Sequence, residues 1–167
     1  LKTSKTFAAD LNYAYSNSGY DVRVTGYYTT IKDQSKVMSF YDDAQNSFTN
    51  FAMSGMDERH VGVELGFKVP LPVPNLSLQG VLSYGQYVYT SNPVMYQTYD
   101  NSAAIVEETY GVTIPYWKSH PTAEGKTVKH YVSGTPQLAT SLGLAWNKNY
   151  WFVDADVDWF DKAYLDM

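Results

Sequence analysis

The sequence predicts an all-β chain, a segment of an antiparallel up-and-down transmembrane β-barrel with about six strands. Three observations predict it. Apolar and polar residues alternate with period two along most of the 167 residues. The connections between runs go short, long, short, long, short, which puts tight turns at one end and long loops at the other. Aromatic residues make up 16% of the chain, with 16 Tyr, 7 Phe and 4 Trp, and such side chains suit a pleated surface.

The first run sets Phe7, Ala9, Leu11, Tyr13 and Tyr15 against Ala8, Asp10, Asn12 and Ala14. After a turn at Asn17-Ser18-Gly19, the second sets Val22, Val24, Gly26 and Tyr28 against Arg23, Thr25, Tyr27 and Thr29. The third, from about Asp57 to Val69, opposes Val61, Val63, Leu65 and Phe67 to His60, Gly62, Glu64 and Gly66. Pro70, Pro72 and Pro74 then remove ladder donors and stop the sheet. The fourth run, Leu76 to about Thr90, carries Leu76, Leu78, Leu82 and Tyr84 on one face. The fifth carries Leu138, Leu142, Leu144 and Trp146, and a turn at Asn147-Lys148-Asn149 leads to the sixth. That last run opposes Trp151, Val153, Ala155, Val157 and Trp159 to Asp154, Asp156 and Asp158.

Composition excludes several classes. A net charge of −5 argues against a nucleic-acid reader working through a basic face. The absence of Cys excludes disulfide scaffolds, thiol catalysis and thiolate zinc sites. No apolar run reaches the ~18 residues of a spanning helix, whereas a spanning strand needs only about ten alternating residues. Leu1-Lys2-Thr3-Ser4 does not read as a secretory signal, the chain does not begin with Met, and Trp159 to Met167 stops in mid-pattern. The expectation is a piece of something longer.

A soluble all-β barrel or sandwich would alternate in the same way with its faces exchanged. Three features favour the membrane. The connecting segments Lys32 to Met56 and Ser91 to Thr135, at about 25 and about 45 residues, exceed what soluble folds tolerate. Trp146, Trp151, Trp159, Tyr13, Tyr15 and Tyr28 lie near the ends of apolar faces, where headgroup-level aromatics sit. The polar face is rich in Gly, Ala, Ser and Asp, as a wet lumen would be. Six strands close no such barrel, so the segment is expected to pair with further strands.

Asn12-Tyr13-Ala14-Tyr15, Val24-Thr25-Gly26-Tyr27-Tyr28-Thr29 and Glu58-Arg59-His60-Val61-Gly62-Val63-Glu64-Leu65-Gly66 resemble late barrel strands of TonB-dependent outer-membrane receptors of the Bacteroidetes type. Gly85-Gln86-Tyr87-Val88-Tyr89-Thr90 and Gly134-Thr135-Pro136-Gln137 fit the same pattern. The resemblance implies the C-terminal part of a barrel of about 22 strands around an N-terminal plug. It also implies residence in the outer membrane of a Gram-negative cell and import of an iron chelate, cobalamin, an oligosaccharide or a peptide. The implied partners are outer-membrane lipid, TonB through a plug domain that this chain lacks, the imported ligand, and a surface lipoprotein. A final strand ending in an aromatic residue is also missing. A passive porin or structural outer-membrane protein, and a soluble ligand-binding β-barrel, are the alternatives.

Candidate chemistry is sparse. Asp154, Asp156 and Asp158 share one strand face, but spacing along a single strand does not assemble a calcium shell, and a wetted wall is the simpler reading. His60, His120 and His130 show no chelating spacing, Ser119 beside His120 has no Asp to complete a triad, and phosphate-cradling glycine motifs are absent. Neither an enzyme nor a cofactor is expected. Ligand contacts are expected from Tyr96, Tyr99, Tyr110, Tyr116 and Trp117 in the second long segment, because aromatic faces stack on sugars and planar chelates. In the first long segment, Phe40, Tyr41, Phe48 and Phe51 fit a raised hairpin formed by Lys36 to Tyr41 and Ser47 to Met53.

Overall fold

The computed structural model describes residues 3–43, 46–99 and 112–165. It is an all-antiparallel β-sheet structure, with no helix among the described residues. Six long strands follow one another in the sheet: β1 (Lys5–Asn17), β2 (Tyr20–Asp42), β3 (Ser47–Pro70), β4 (Leu76–Tyr89), β9 (Leu138–Lys148) and β10 (Trp151–Asp161). Between β4 and β9 lie the shorter strands β5 (Val94–Tyr99), β6 (Val112–Thr113), β7 (His120–Pro121) and β8 (Thr127–Val128). β5 pairs with β3 and β6, while β7 and β8 form a separate hairpin.

The six expected strands are present, and their turns follow from backbone chemistry. Ser18 and Gly19 both take positive φ between β1 and β2, as a two-residue hairpin turn requires. Asn149 and Tyr150 do the same between β9 and β10, so this turn falls one or two residues beyond Asn147-Lys148-Asn149. The proline-rich connection after Pro70 closes with Leu71 N–H donating to the Leu76 carbonyl at 2.9 Å.

The first long segment, expected as a loop with a raised hairpin, is largely the continuation of β2 as far as Asp42 and of β3 from Ser47. Alternation lapses before this hairpin because the strands carry irregularities. Asp33 and Gly55 both adopt positive φ, which inserts bulge geometry and resets which residues share a face. The bulge is held by side chains. Asp33 N–H donates to an Asp57 carboxylate oxygen at 2.9 Å, Asp57 N–H to Ser91 Oγ at 2.7 Å, and Ser91 Oγ to the Gly55 carbonyl at 2.7 Å. Thr90 N–H reaches the Asp57 carbonyl at 2.8 Å. Beyond Ser91-Asn92-Pro93 the chain pairs again with β3, Tyr96 opposite Ala52 and Val94 opposite Ser54. The second long segment is therefore partly strand as well.

Contacts divide the chain into two compact units. The first comprises residues 1–7, 30–59 and 88–130, and the second comprises residues 8–29, 60–87 and 131–167. The first has a small buried set in Met53, Met56, Val88 and Tyr89, with Ser47 and Thr49 also buried. The second is a sheet with almost no interior. Its registers place like beside like: Leu76 opposite Trp146 and Trp146 opposite Val153, Leu78 opposite Leu144 and Leu144 opposite Ala155. Leu142 faces Val157 and Gly80, and Thr140 faces Leu82 and Trp159. The other face of the same strands carries Ser77, Ala145 and Asp154, then Gln79, Gly143 and Asp156. Leu142 is 48% exposed, Leu144 44% and Val157 73%, so the apolar band is uncovered.

Candidate functional site

In the first unit, β2, β3 and β5 present a groove of about 490 Å³. Its floor and walls come from strand periodicity. Ser39 bonds Asn50, which marks these two as neighbours on one face, and alternate positions bring Ser35 and Val37 to the side of Ala52 and Ser54. Val94 and Tyr96 join the same face through their pairing with Ser54 and Ala52. Asp33, Met53 and Gly55 complete the lining. Small residues at the base (Ala52, Ser54, Gly55) lie between taller walls (Val37 and Tyr96), and this difference in height creates the groove.

The five aromatic candidates are not gathered in one place. Tyr96, 41% exposed, lines the groove. Tyr99 sits at the end of β5 opposite Thr49. Tyr110 lies outside the described residues. Tyr116, 64% exposed and at positive φ, packs on the His120 ring at 4.6 Å. Trp117 is packed inward between Tyr89 at 4.9 Å and His130 at 5.6 Å, the latter nearly parallel. Two protein rings thus engage that half-buried indole and tie its segment to β4. Tyr89 N–H donates to the His130 carbonyl at 3.0 Å and so fixes the same junction. At the hairpin, Phe40 stacks on Phe51 at 4.9 Å and Tyr41 meets Phe48 edge-on at 5.3 Å, as a raised hairpin requires.

The second unit carries its own polar cluster. Tyr27 and Tyr87 meet hydroxyl to hydroxyl at 2.5 Å, and His60 contacts the Tyr87 ring edge-on at 5.1 Å. Gly62 and Gly85 make this possible: a Cβ at Gly62 would collide with the Tyr27 hydroxyl, and one at Gly85 with both hydroxyls. The Asp156 carboxylate covers Gly143 in the same way. Asp154 and Asp158 lie along the same exposed strand face, opposite Ala145 and Ser141. Among the described residues, no three His, Asp or Glu side chains come together as a metal would need. His120 and His130 are engaged with Tyr116 and Trp117 respectively.

Sequence reasoning missed the groove because its residues are small, aliphatic or hydroxyl-bearing and announce no chemistry by type. The signal available was the pair Asp33 and Gly55, two turn-prone residues inside long strands. Comparison with protein-family models, with curated proteins and with solved structures finds no match to this chain.

Proposed function

We propose that this chain is part of the barrel wall of a TonB-dependent-type outer-membrane transporter, with the second unit facing lipid and the first unit facing water and ligand. The supporting observation is the uncovered band formed by β4, β9 and β10, in which register aligns Leu, Val and Trp side chains that no part of the second unit buries. In water such a band costs about 25 cal/mol for each Å² left unburied, whereas in hydrocarbon it is at home. Trp151 and Trp159 share this face eight residues apart, about 26 Å along the strand, and with a tilt of ~40° they bracket a hydrocarbon layer of about 20 Å. Asp154, Asp156 and Asp158, with Gln79 and Ser77, then line a wet cavity. On this reading β1 and β10 take further strands at their outer edges, because unpaired backbone groups in lipid cost several kcal/mol each.

The ligand is a scarce nutrient captured by exposed aromatic residues of the first unit, Tyr116 among them. The test is fractionation of a Gram-negative host that produces the parent protein, followed by uptake with and without TonB. Recovery in the outer membrane with TonB-dependent uptake is expected. Recovery in the soluble periplasm overturns the reading, and outer-membrane recovery with TonB-independent passage replaces it with the passive porin.

A further inference from the structure

The geometry points to the groove of β2, β3 and β5 as a binding site for a small amphiphile with an aliphatic or aryl body and a hydrogen-donating head, a hydroxyl or an ammonium. This goes beyond the transport reading and does not depend on it, because every lining residue belongs to the first unit.

The argument is the grading of polarity along the groove. Val37, Ala52 and Tyr96 form one end, where an aliphatic wall faces an aromatic one across a methyl floor. Asp33, Ser35 and Ser54 form the other, where acceptor oxygens stand beside the single aliphatic side chain of Val94 opposite Ser54. The backbone at that polar end is fixed, since Asp33 N–H is held by Asp57 and the Gly55 carbonyl by Ser91. Pockets that select by chemistry combine such an apolar body with a few placed polar groups. A chain net charge of −5 favours a cationic or neutral head over an anionic one. A bare sugar fits less well, because Val37 and Val94 would desolvate its hydroxyls without pairing them.

The chain has no Cys, so a single introduced thiol reports on the groove alone. Ala52→Cys places it on the floor, Val37→Cys on a wall, and Tyr150→Cys in the exposed β9–β10 turn of the second unit as a control. The parent protein, with any cysteine outside this chain replaced by serine and kept in the aqueous or lipid medium from which it is recovered folded, is titrated with hexylamine, hexan-1-ol, hexanoate or maltose, and the rate of maleimide labelling is read. The expected result is about five-fold slower labelling at Ala52→Cys, or at Val37→Cys if the first variant does not fold, once hexylamine or hexan-1-ol reaches about four times its Kd. Labelling at Tyr150→Cys stays unchanged, and hexanoate and maltose protect less than about two-fold. Adding Tyr96→Ala is expected to abolish the protection. Equal protection at Tyr150→Cys, protection by maltose, or no protection by either hexyl compound overturns the proposal. Membrane fractionation tests the transport reading separately, so the two can fail independently.

Discussion

The stretch Ser47 to Met56 of the first unit and the strand Trp151–Asp161 of the second are both β-structure, yet they meet opposite conditions. In the first, Thr49 is 1% exposed and Met53 6%, and rings meet in pairs at the hairpin, one stacked and one edge-on. In the second, all eleven residues of the strand are exposed, Trp, Val and Asp alike. Aromatic and aliphatic content is high in both, so composition does not make the difference. One stretch has partners within its unit. The other has a well-ordered register, and among the described residues of its unit nothing covers either of its faces; on the proposed barrel-wall reading lipid supplies the missing apolar contact.

The sharpest way to break this comparison is to charge both regions. On the proposed barrel-wall reading, Leu142→Arg and Leu144→Arg each destabilise membrane assembly by about 2–4 kcal/mol, while Val37→Arg in the first unit leaves assembly unchanged. Urea-titrated, heat-modifiable gel mobility reads both, and equal effects at the two places would remove the distinction. Trp117→Ala is expected to open the first unit locally by about 2–3 kcal/mol through loss of the Tyr89 and His130 stacks, seen as faster hydrogen exchange at the Tyr89 amide. The second unit's amides should not respond.

Gly62→Ala is expected to cost about 1–3 kcal/mol. Its new Cβ meets the Tyr84 carbonyl at 2.7 Å as well as the Tyr27 hydroxyl, and the backbone atom cannot move aside as a flexible side chain would. A lowered urea midpoint for the second unit checks it.

Tyr164 gives a pH-dependent test outside the strands. Burial of its hydroxyl, the nearby Tyr131 and a hydrogen bond to Tyr131 raise its pKa above the usual 10.0, and the two rings stack at 4.3 Å. The folded chain therefore holds this proton after the unfolded chain has lost it. The contribution is fully present below pH 10.0 and is lost as pH rises above that value through the folded pKa. An alkaline unfolding series should show a steeper decline for the native chain than for Tyr164→Phe. Smallest of all, Tyr116→Ala is expected to change stability by no more than about 0.5 kcal/mol, because its ring is mostly exposed.

Strand identity was legible because alternation is a local property. The runs from Val61 to Phe67 and from Leu138 to Trp146 state in sequence alone which side chains share a face. The Ser18-Gly19 turn was equally plain. Tyr150 was not, since a bulky aromatic at positive φ is unusual there and only the pairing of Trp151 with Lys148 requires it. The continuation of β2 and β3 past residue 31 was obscured by the bulges at Asp33 and Gly55, which shift the phase by a residue and make one long strand read as a strand and a loop. Of the site, Tyr96 was found by its type. The inward packing of Trp117 and the groove beside Tyr96 were not found, because both depend on which distant residues stand opposite.

The order of residues thus determined an antiparallel sheet with one apolar and one polar face, through the two-residue period of extended backbone. The tertiary structure alone decided that Leu142 stands beside Val157, that Asp156 lies over Gly143, and that Ala52 lies between Val37 and Tyr96. Register and bulges join residues far apart in the chain, and pairing across strands is a property of neighbours in space.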